Sequence, residues 1–557
     1  MTAAQCLVQR TAPKAPRQDR TAVVDVPLDE VGGLLQTNAQ HAARHAHVDL
    51  NGRTLADLAA EARQHLLKSA LAYTRQYRDV PDPAFMQGAR QPLFVGGHQP
   101  QLFHPGVWFK NFTLQYLANR YGGTAVNLVI DSDMVKEHAL RVPGGSRETP
   151  TVQTIEFDRS LGADLEAAMP YEQRGVVDPE CFMSFADRAS QWLAPLVPNP
   201  MLREFWPLAI ERLKATGNLG QAFAQSRHIW EARWGGNTLE LPQSAVCGSE
   251  PFHWFVAHLL AHLPRFWQIY NAALVEYRQQ NRLRSATHPV PNLVDEDGWL
   301  EAPLWMWNDR NPRRRPLFAR SVSGPSGPQV QISDLRGWQV SLPLSEDGDA
   351  ARAAGALAGL QEGGIKIRTR ALLTTLWARL CLGDIFLHGI GGAKYDQLTD
   401  RLICRFYGVQ PPRYMTVSAT LLLPVRQEEV SEDELRRLDQ EEREMLYHPE
   451  RFLAEAEADL SPEQRQQVRQ LVQAKEAAIA EVPVPGQGRM RHRAITAVNA
   501  RLQPFLEGPR QRRAQLRAQL VERLRQKAVL SSREYAFCLY PADTLRDFLL
   551  AILGPLS

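Results

Sequence analysis

Residues able to do chemistry gather at three places in the chain. The first is "LFVGGHQPQLFHPGVWFKNF" (Leu93–Phe112), which carries Gly96, Gly97, His98, Gln99, His104, Gly106 and Lys110. Glycines after an apolar run let a ligand approach the backbone. A helix starting just beyond offers free N–H groups and a positive dipole to phosphate or carboxylate. Imidazole and ammonium groups there can neutralise charge on a phosphoryl group. The same residues also fit a tight turn with a surface histidine. The second place is "VIDSDMVKEH", where Asp131 and Asp133 close an apolar run. Paired carboxylates can hold a metal, bind an amine or ribose, or act as a base. A helix cap followed by a solvated loop is the plainer alternative. The third is "HGIGGAKYD" (His388–Asp396), in which Gly389, Gly391 and Gly392 make a turn between His388 and the pair Lys394 and Tyr395. Such a turn can cradle an anion, or be only a turn. It is not a Walker A loop, because the GK[ST] ending is absent.

Three further features are weaker. "NLVDEDGWLEAPLWMWND" carries Glu301 and Trp305, which suit a polar sugar pocket or simply the core of an insert. His258 and His262 have the spacing of a helical metal pair but no acidic third ligand nearby, and read as core or surface histidines. "RNPRRRP" (Arg310–Pro316) reads as a solvated loop, with contact to an acidic substrate as the alternative.

The elements that must position these residues follow from periodicity. "PLFVGGH" reads as a buried strand, "GVWFKNFTLQYLANRYGG" as a helix closed by glycine, and "TAVNLVIDSD" as a second buried strand. Strand, helix, strand is the unit of a parallel sheet, in which ligands bind beyond the carboxyl ends of the strands. His98 and the Asp131/Asp133 pair stand at two such ends. The expected division is a mostly helical segment over 1–90, a first α/β half over 91–164, and helical and β-rich insertions over 165–365. A second α/β half covers 366–424, a charged helical hairpin 425–530, and a C-terminal helix 531–557.

Bulk properties exclude several classes. The chain has 557 residues, 44% hydrophobic, with a net charge of +3. That balance gives no electrostatic case for nucleic acid. Its six cysteines form no CxxC pair, so a structural zinc site is not expected, and their scatter fits a reducing compartment. No secretory signal and no membrane span is expected, which points to the cytoplasm.

The order of motifs resembles the bacillithiol-biosynthesis cysteine-adding enzymes, a cysteine-ligase family. It runs GGHQPxLFxPG, a strand ending in DSD, then "GIGGAKYDQLTDRLICRFYGVQPPRYMTVSAT", then a charged helical hairpin. The resemblance implies a Rossmann-like parallel-sheet core with helical and β-rich insertions. It also implies a C-terminal α-helical coiled-coil arm through which two copies dimerise. The family's glycine-glutamine turn falls on Gly97, His98 and Gln99, and its helix entry on Pro105 and Gly106 in swapped order. Its acidic strand end falls on Asp131 and Asp133, and its second glycine turn on Gly389 to Ala393. Here His388 and Lys394 replace the usual serine and glutamate, and Val107 stands where an HxGH signature has its second histidine. The implied reaction joins the carboxylate of cysteine, or another amino acid, to an amino-sugar amine such as that of glucosaminyl-malate. ATP, with Mg2+, would activate the carboxylate. Asp131, Asp133, His98 and His104 are the expected catalytic residues. Another nucleotidyl- or glycosyl-transferring enzyme on the same scaffold, or a non-catalytic dimeric scaffold, are the alternatives.

Overall fold

The computed structural model describes residues 13–87, 90–162, 169–285, 287–324, 327–426, 430–480 and 488–554. The chain divides into two compact units. One comprises residues 1–142, 153–424 and 533–557, the other 143–152 and 425–532.

The first unit opens with β1 (Thr21–Asp25), α1 (Val31–Arg44) and α2 (Leu55–Thr74). Thr54 caps α2 by accepting the Asp57 N–H. Next come β2 (Leu93–His98), α3 (Pro105–Arg120) and β3 (Thr124–Val129). The β2 and β3 runs are apolar without alternation because both faces are covered, as a parallel strand requires. Pro105 fits the first turn of α3, where its missing N–H costs nothing. A strand pair, β4 (Ala139–Gly145) and β5 (Pro150–Glu156), leads to the helices α4 (Pro179–Leu193), α5 (Leu202–Thr216) and α6 (Leu219–Arg233). Then follow β6 (Leu239–Pro242), the single turn α7 (Gln243–Val246), α8 (Glu250–Ala261) and α9 (Leu263–Gln280). Pro264 marks the expected break, at the start of α9.

The insert carries β7 (Asp295–Glu296), β8 (Trp299–Asn308), β9 (Asn311–Gly324), β10 (Gly327–Ser333), β11 (Gln339–Leu342), α10 (Ala351–Glu362) and β12 (Ile365–Thr369). The chain then returns to the first sheet with α11 (Ala371–Trp377), β13 (Ile385–His388), α12 (Ile390–Tyr407) and β14 (Met415–Thr420).

The main sheet has six strands in the order β1-β14-β13-β2-β3-β6. Five are parallel, and β1 is an antiparallel edge strand that the mostly helical reading of the N-terminal segment did not contain. Among the parallel five, chain order runs outward from β2 in both directions, through β3 to β6 on one side and β13 to β14 on the other. The second sheet is antiparallel, in the order β11-β10-β9-β8-β12, with β7 on β8. Two expectations are corrected here. Residues 366–369, expected in the second α/β half, belong to this second sheet as part of β12, paired with β8. The arginine run at 310–316 is not a solvated loop. Most of it is strand, because β9 pairs with β8 from Asn311 onward.

The second unit holds α13 (Glu432–Tyr447), α14 (Pro462–Ala480), α15 (Gly488–Leu502) and α16 (Glu507–Leu530). Ser461 and Gln464 make a reciprocal capping box at the start of α14, with the Gln464 side chain 2.9 Å from the Ser461 N–H. α14 packs along α15, and α13 along α16. The unit is thus built on four long helices rather than a two-helix hairpin. The Pro/Gly turn expected at 481–487 lies outside the described residues. Finally, α17 (Ala542–Leu553) belongs to the first unit and packs on α3.

Candidate functional site

In an open parallel sheet the crevice forms where chain order reverses, outside the carboxyl ends of the strands. Here that point lies between β2 and β13, and the polar side chains that end β2, β3 and β6 lie along the sheet on the β2 side of it.

Gln99, one residue past β2, donates its amide to Asp133 at 2.9 Å. Asp133 also accepts the Met134 N–H at 2.8 Å and Arg314 at 3.2 Å. Burial would raise this carboxyl's pKa, but the Gln99 amide and the Arg314 guanidinium outweigh it and hold the group below the usual carboxylate value. Asp133 is therefore ionised, and its side chain keeps 23% exposure. Arg314 lies 4.3 Å from the centroid of the Trp305 ring, and Arg370 lies 4.0 Å from it. Arg370 pairs with Glu301, whose other oxygen accepts the Val294 N–H at 3.0 Å. The insert thus reaches the end of β3 through a chain of charges from Glu301 to Asp133.

His98 ends β2. Its Nδ1 lies 3.1 Å from the Gln99 carbonyl, so Nδ1 carries the proton and Nε2 is an acceptor. Burial, with Lys110 nearby, pushes this imidazole down to about 3, so it stays neutral. Lys110 itself is buried, donates to the Gly97 carbonyl, and is pushed down to about 7 by burial and by Arg227. It braces the end of β2 rather than facing solvent.

Asp131 sits at the same strand end in a different role. Both its oxygens are taken by Ser244, through the N–H at 2.9 Å and through the hydroxyl. Burial, with Glu172 nearby, raises the carboxyl to about 7. This side chain caps the α7 turn. Next to it Ser132 donates to Gln243, which donates on to Thr369 and Thr374. Arg368 holds Glu172 in a two-pronged ion pair at 2.8 and 3.0 Å.

Other expected site residues have structural partners. His104 is the N-cap of α3. Its Nδ1 accepts the Gly106 N–H at 3.1 Å, and burial pushes it down to about 4. Gly106 is required by close approach, since a Cβ there would fall 2.1 Å from the Ala419 carbonyl oxygen. Gly96 and Gly97 are similarly enclosed, by Leu114 and by Ile130 with the Leu128 carbonyl. Gly96 thus packs against α3 and Gly97 against the end of β3.

His388 is buried between Phe386 and Tyr414, and its Nε2 meets Asp396 at 2.9 Å. Asp396 is shared with Arg379 at 2.5 Å. That closed ion-pair group turns His388 away from a ligand. Gly389 and Gly391, in contrast, have open space where a Cβ would stand, and the start of α12 has no side-chain cap. Gly392 faces the His388 ring. The Lys394 carbonyl accepts the Tyr277 hydroxyl at 3.0 Å, and Tyr395 lies against His288. Both are thus tied to α9 and the segment after it.

One further cluster lies deeper. His228, Glu231 and Glu240 are close enough to hold a metal ion. Arg227 instead bridges the two carboxylates, and Trp108 and Asn111 donate to Glu231 at 2.6 and 2.9 Å. Both ring nitrogens of His228 are engaged, by Tyr77 and by Thr238. Arg227 already supplies the positive charge between the two carboxylates that a metal would bring, although Glu240 Oε2 is left buried without a hydrogen-bond partner. The sequence reading missed this cluster, and also Arg314, Arg370, Gln243 and Ser244. Only Arg314 had a sequence signal, the arginine run.

Among the described residues no helix is long and apolar enough to cross a membrane. No protein-family model matches the chain. A search of curated proteins finds no match either.

Proposed function

We propose that the chain is a cysteine-ligase-like enzyme. It would join the carboxylate of cysteine, or another amino acid, to an amino-sugar amine such as that of glucosaminyl-malate, on a Rossmann-like core. The observation carrying this reading is the group at the carboxyl ends of β2 and β3, beside the reversal point of the parallel sheet. There His98 presents an acceptor nitrogen, and Gln99 and Arg314 hold Asp133 ionised and partly exposed.

An amide-forming enzyme must orient an ammonium or amine against a carboxylate. Asp133 suits the ammonium of an amino acid or amino sugar, and His98 Nε2 can accept one of its protons. Neutral at any working pH, His98 is a hydrogen-bond acceptor and too weak a base to deprotonate an amine. Orientation is therefore the contribution expected of this pair.

The resemblance adds ATP. The uncapped start of α12 suits a phosphate, since its first N–H groups are unshared with a cap and nothing occupies the space over Gly389 and Gly391. ATP bound there would supply the leaving group that makes the amino-acid carboxylate reactive. Asp131, His104 and His388 act as supports in this reading. Dimerisation through a coiled-coil arm is part of the same proposal. Five of the ten most exposed large apolar side chains, among them Tyr447 and Met490, lie in the smaller second unit.

The test is a thermal-shift screen with ATP, cysteine and glucosaminyl-malate, followed by assays for pyrophosphate and phosphate release. Stabilisation by ATP and release dependent on an amino acid are expected. A protein that none of the three stabilises is not this ligase.

A further inference from the structure

Two adjoining cavities open at the amino ends of the strands, on the opposite edge of the main sheet from the candidate site. The first, about 430 Å³, lies between α1 and α2. The second, about 460 Å³, lies by the first residues of β2 and β3, Leu93 and Thr124. They share Arg63 and Arg90. Each falls within the usual range for small-molecule sites. β2 is six residues long, so the cavities stand about 17 Å from His98.

The lining combines two chemistries. The first cavity has walls of small apolar side chains, including Ala39 and Ala42 from α1 and Ala56 and Ala60 from α2. The second is floored by Leu67, Phe85 and Leu93, with Met86 at its edge 57% exposed. Against these surfaces stand cations. Arg63 is committed, pairing with Asp384 at 2.6 Å and donating to the Leu382 carbonyl. Lys68 and Arg90 have no ion-pair or hydrogen-bond partner among the described residues. Among the described residues no carboxylate lines the second cavity. Solvated surface cations are ordinary. Two uncommitted cations facing an apolar recess, with no counter-charge in its lining, are a favourable setting for an anion.

We propose that this groove binds a small anion carried on an apolar body. A carboxylate or phosphate would lie against Lys68 and Arg90, and an aliphatic or aromatic portion against the apolar floor. A bare inorganic anion would leave the apolar surface unused, and a neutral hydrocarbon would leave the cations unpaired. The site is separate from the reversal point and does not depend on the ligase reading.

The test uses the full chain titrated with 1-anilinonaphthalene-8-sulfonate, an apolar anion whose emission rises on burial. One saturable site is expected. The double variant Lys68→Glu/Arg90→Glu should weaken it at least tenfold with an unchanged circular dichroism spectrum, because neither side chain has a partner among the described residues to lose. Asp133→Asn should leave the titration unchanged. Displacement by phenyl phosphate or by phenylacetate identifies the anion class. The proposal is overturned by the same affinity in the charge-reversed variant, by loss of binding in Asp133→Asn, by equal displacement with benzyl alcohol, or by no saturable binding.

Discussion

Asp131 and Asp133 are two residues apart and carry the same functional group, yet their surroundings give them opposite tasks. Asp133 is held ionised by Gln99 and Arg314, while Asp131 is buried against Ser244 and raised to about 7. Asp133→Asn should therefore cost about 100-fold or more in turnover. Its melting temperature should stay within a few degrees of the parent. Unchanged turnover, measured as amino-acid-dependent pyrophosphate release, would remove Asp133 from the chemistry. Asp131→Asn should report on stability instead. A carboxyl whose folded pKa lies above its unfolded value stabilises the fold fully below the unfolded value, near 4. That contribution is lost as pH rises through the folded value, near 7. Denaturant midpoints between pH 4 and 8 should accordingly fall less steeply with pH in Asp131→Asn than in the parent. Equal slopes would mean that Asp131 titrates normally. The two roles were not legible in "VIDSD", where both residues read alike. The difference comes from Arg314, 181 positions away, and Ser244, 113 positions away, and no local pattern carries such a pairing.

At the scale of elements, the parallel strands were legible because strands covered on both faces read as continuous apolar runs, as β2 and β3 do. The short edge strand β1 was not, since its five residues are all half-buried and lack that signature. The arginine run misled for a related reason. Proline and charge suggest a loop, but the first half of β9 accepts both because it pairs with β8 alone, β10 joining only from Phe318 onward. The glycines divide the same way. Gly106 and Gly391 look equivalent as glycines at helix starts, and the structure separates them. Gly106→Ala would press a methyl group on the Ala419 carbonyl where α3 meets β14, and should destabilise the protein by about 1–3 kcal/mol. Gly391→Ala meets open space in the first turn of α12, so stability should hold or rise by up to about 1 kcal/mol. If a phosphate approaches that turn, the same variant should raise the KM for ATP several-fold with kcat little changed. Urea unfolding and steady-state kinetics on the pair separate a packing glycine from a ligand-facing one. Equal destabilisation by both would erase the distinction.

At the scale of the whole molecule, the question is what the second unit is for. Its cores are small: Met445, Phe452, Ala456 and Leu506 form one, Val430, Leu438 and Leu520 another, and Val468, Leu471 and Leu502 a third. The unit is thinly cored, and Leu446, Tyr447, Ile479, Met490 and Leu516 are exposed on it. In the dimer proposed above, a second copy of the chain would cover them. The first unit can be tested without it, because the chain leaves and returns at neighbouring places. β14 ends at Thr420, and Arg533, the first residue back in the first unit, donates to the Ser418 hydroxyl and to the Ala419 carbonyl at 3.1 and 3.0 Å. A short Gly-Ser linker replacing residues 427–530 should therefore leave the main sheet intact, which circular dichroism and the melting temperature would check. Light scattering should then give a monomer for the shortened protein and a dimer for the full chain. A shortened protein that remains dimeric would place the interface elsewhere. A full chain that is monomeric at tens of micromolar would leave the exposed side chains of the second unit without a second copy to cover them.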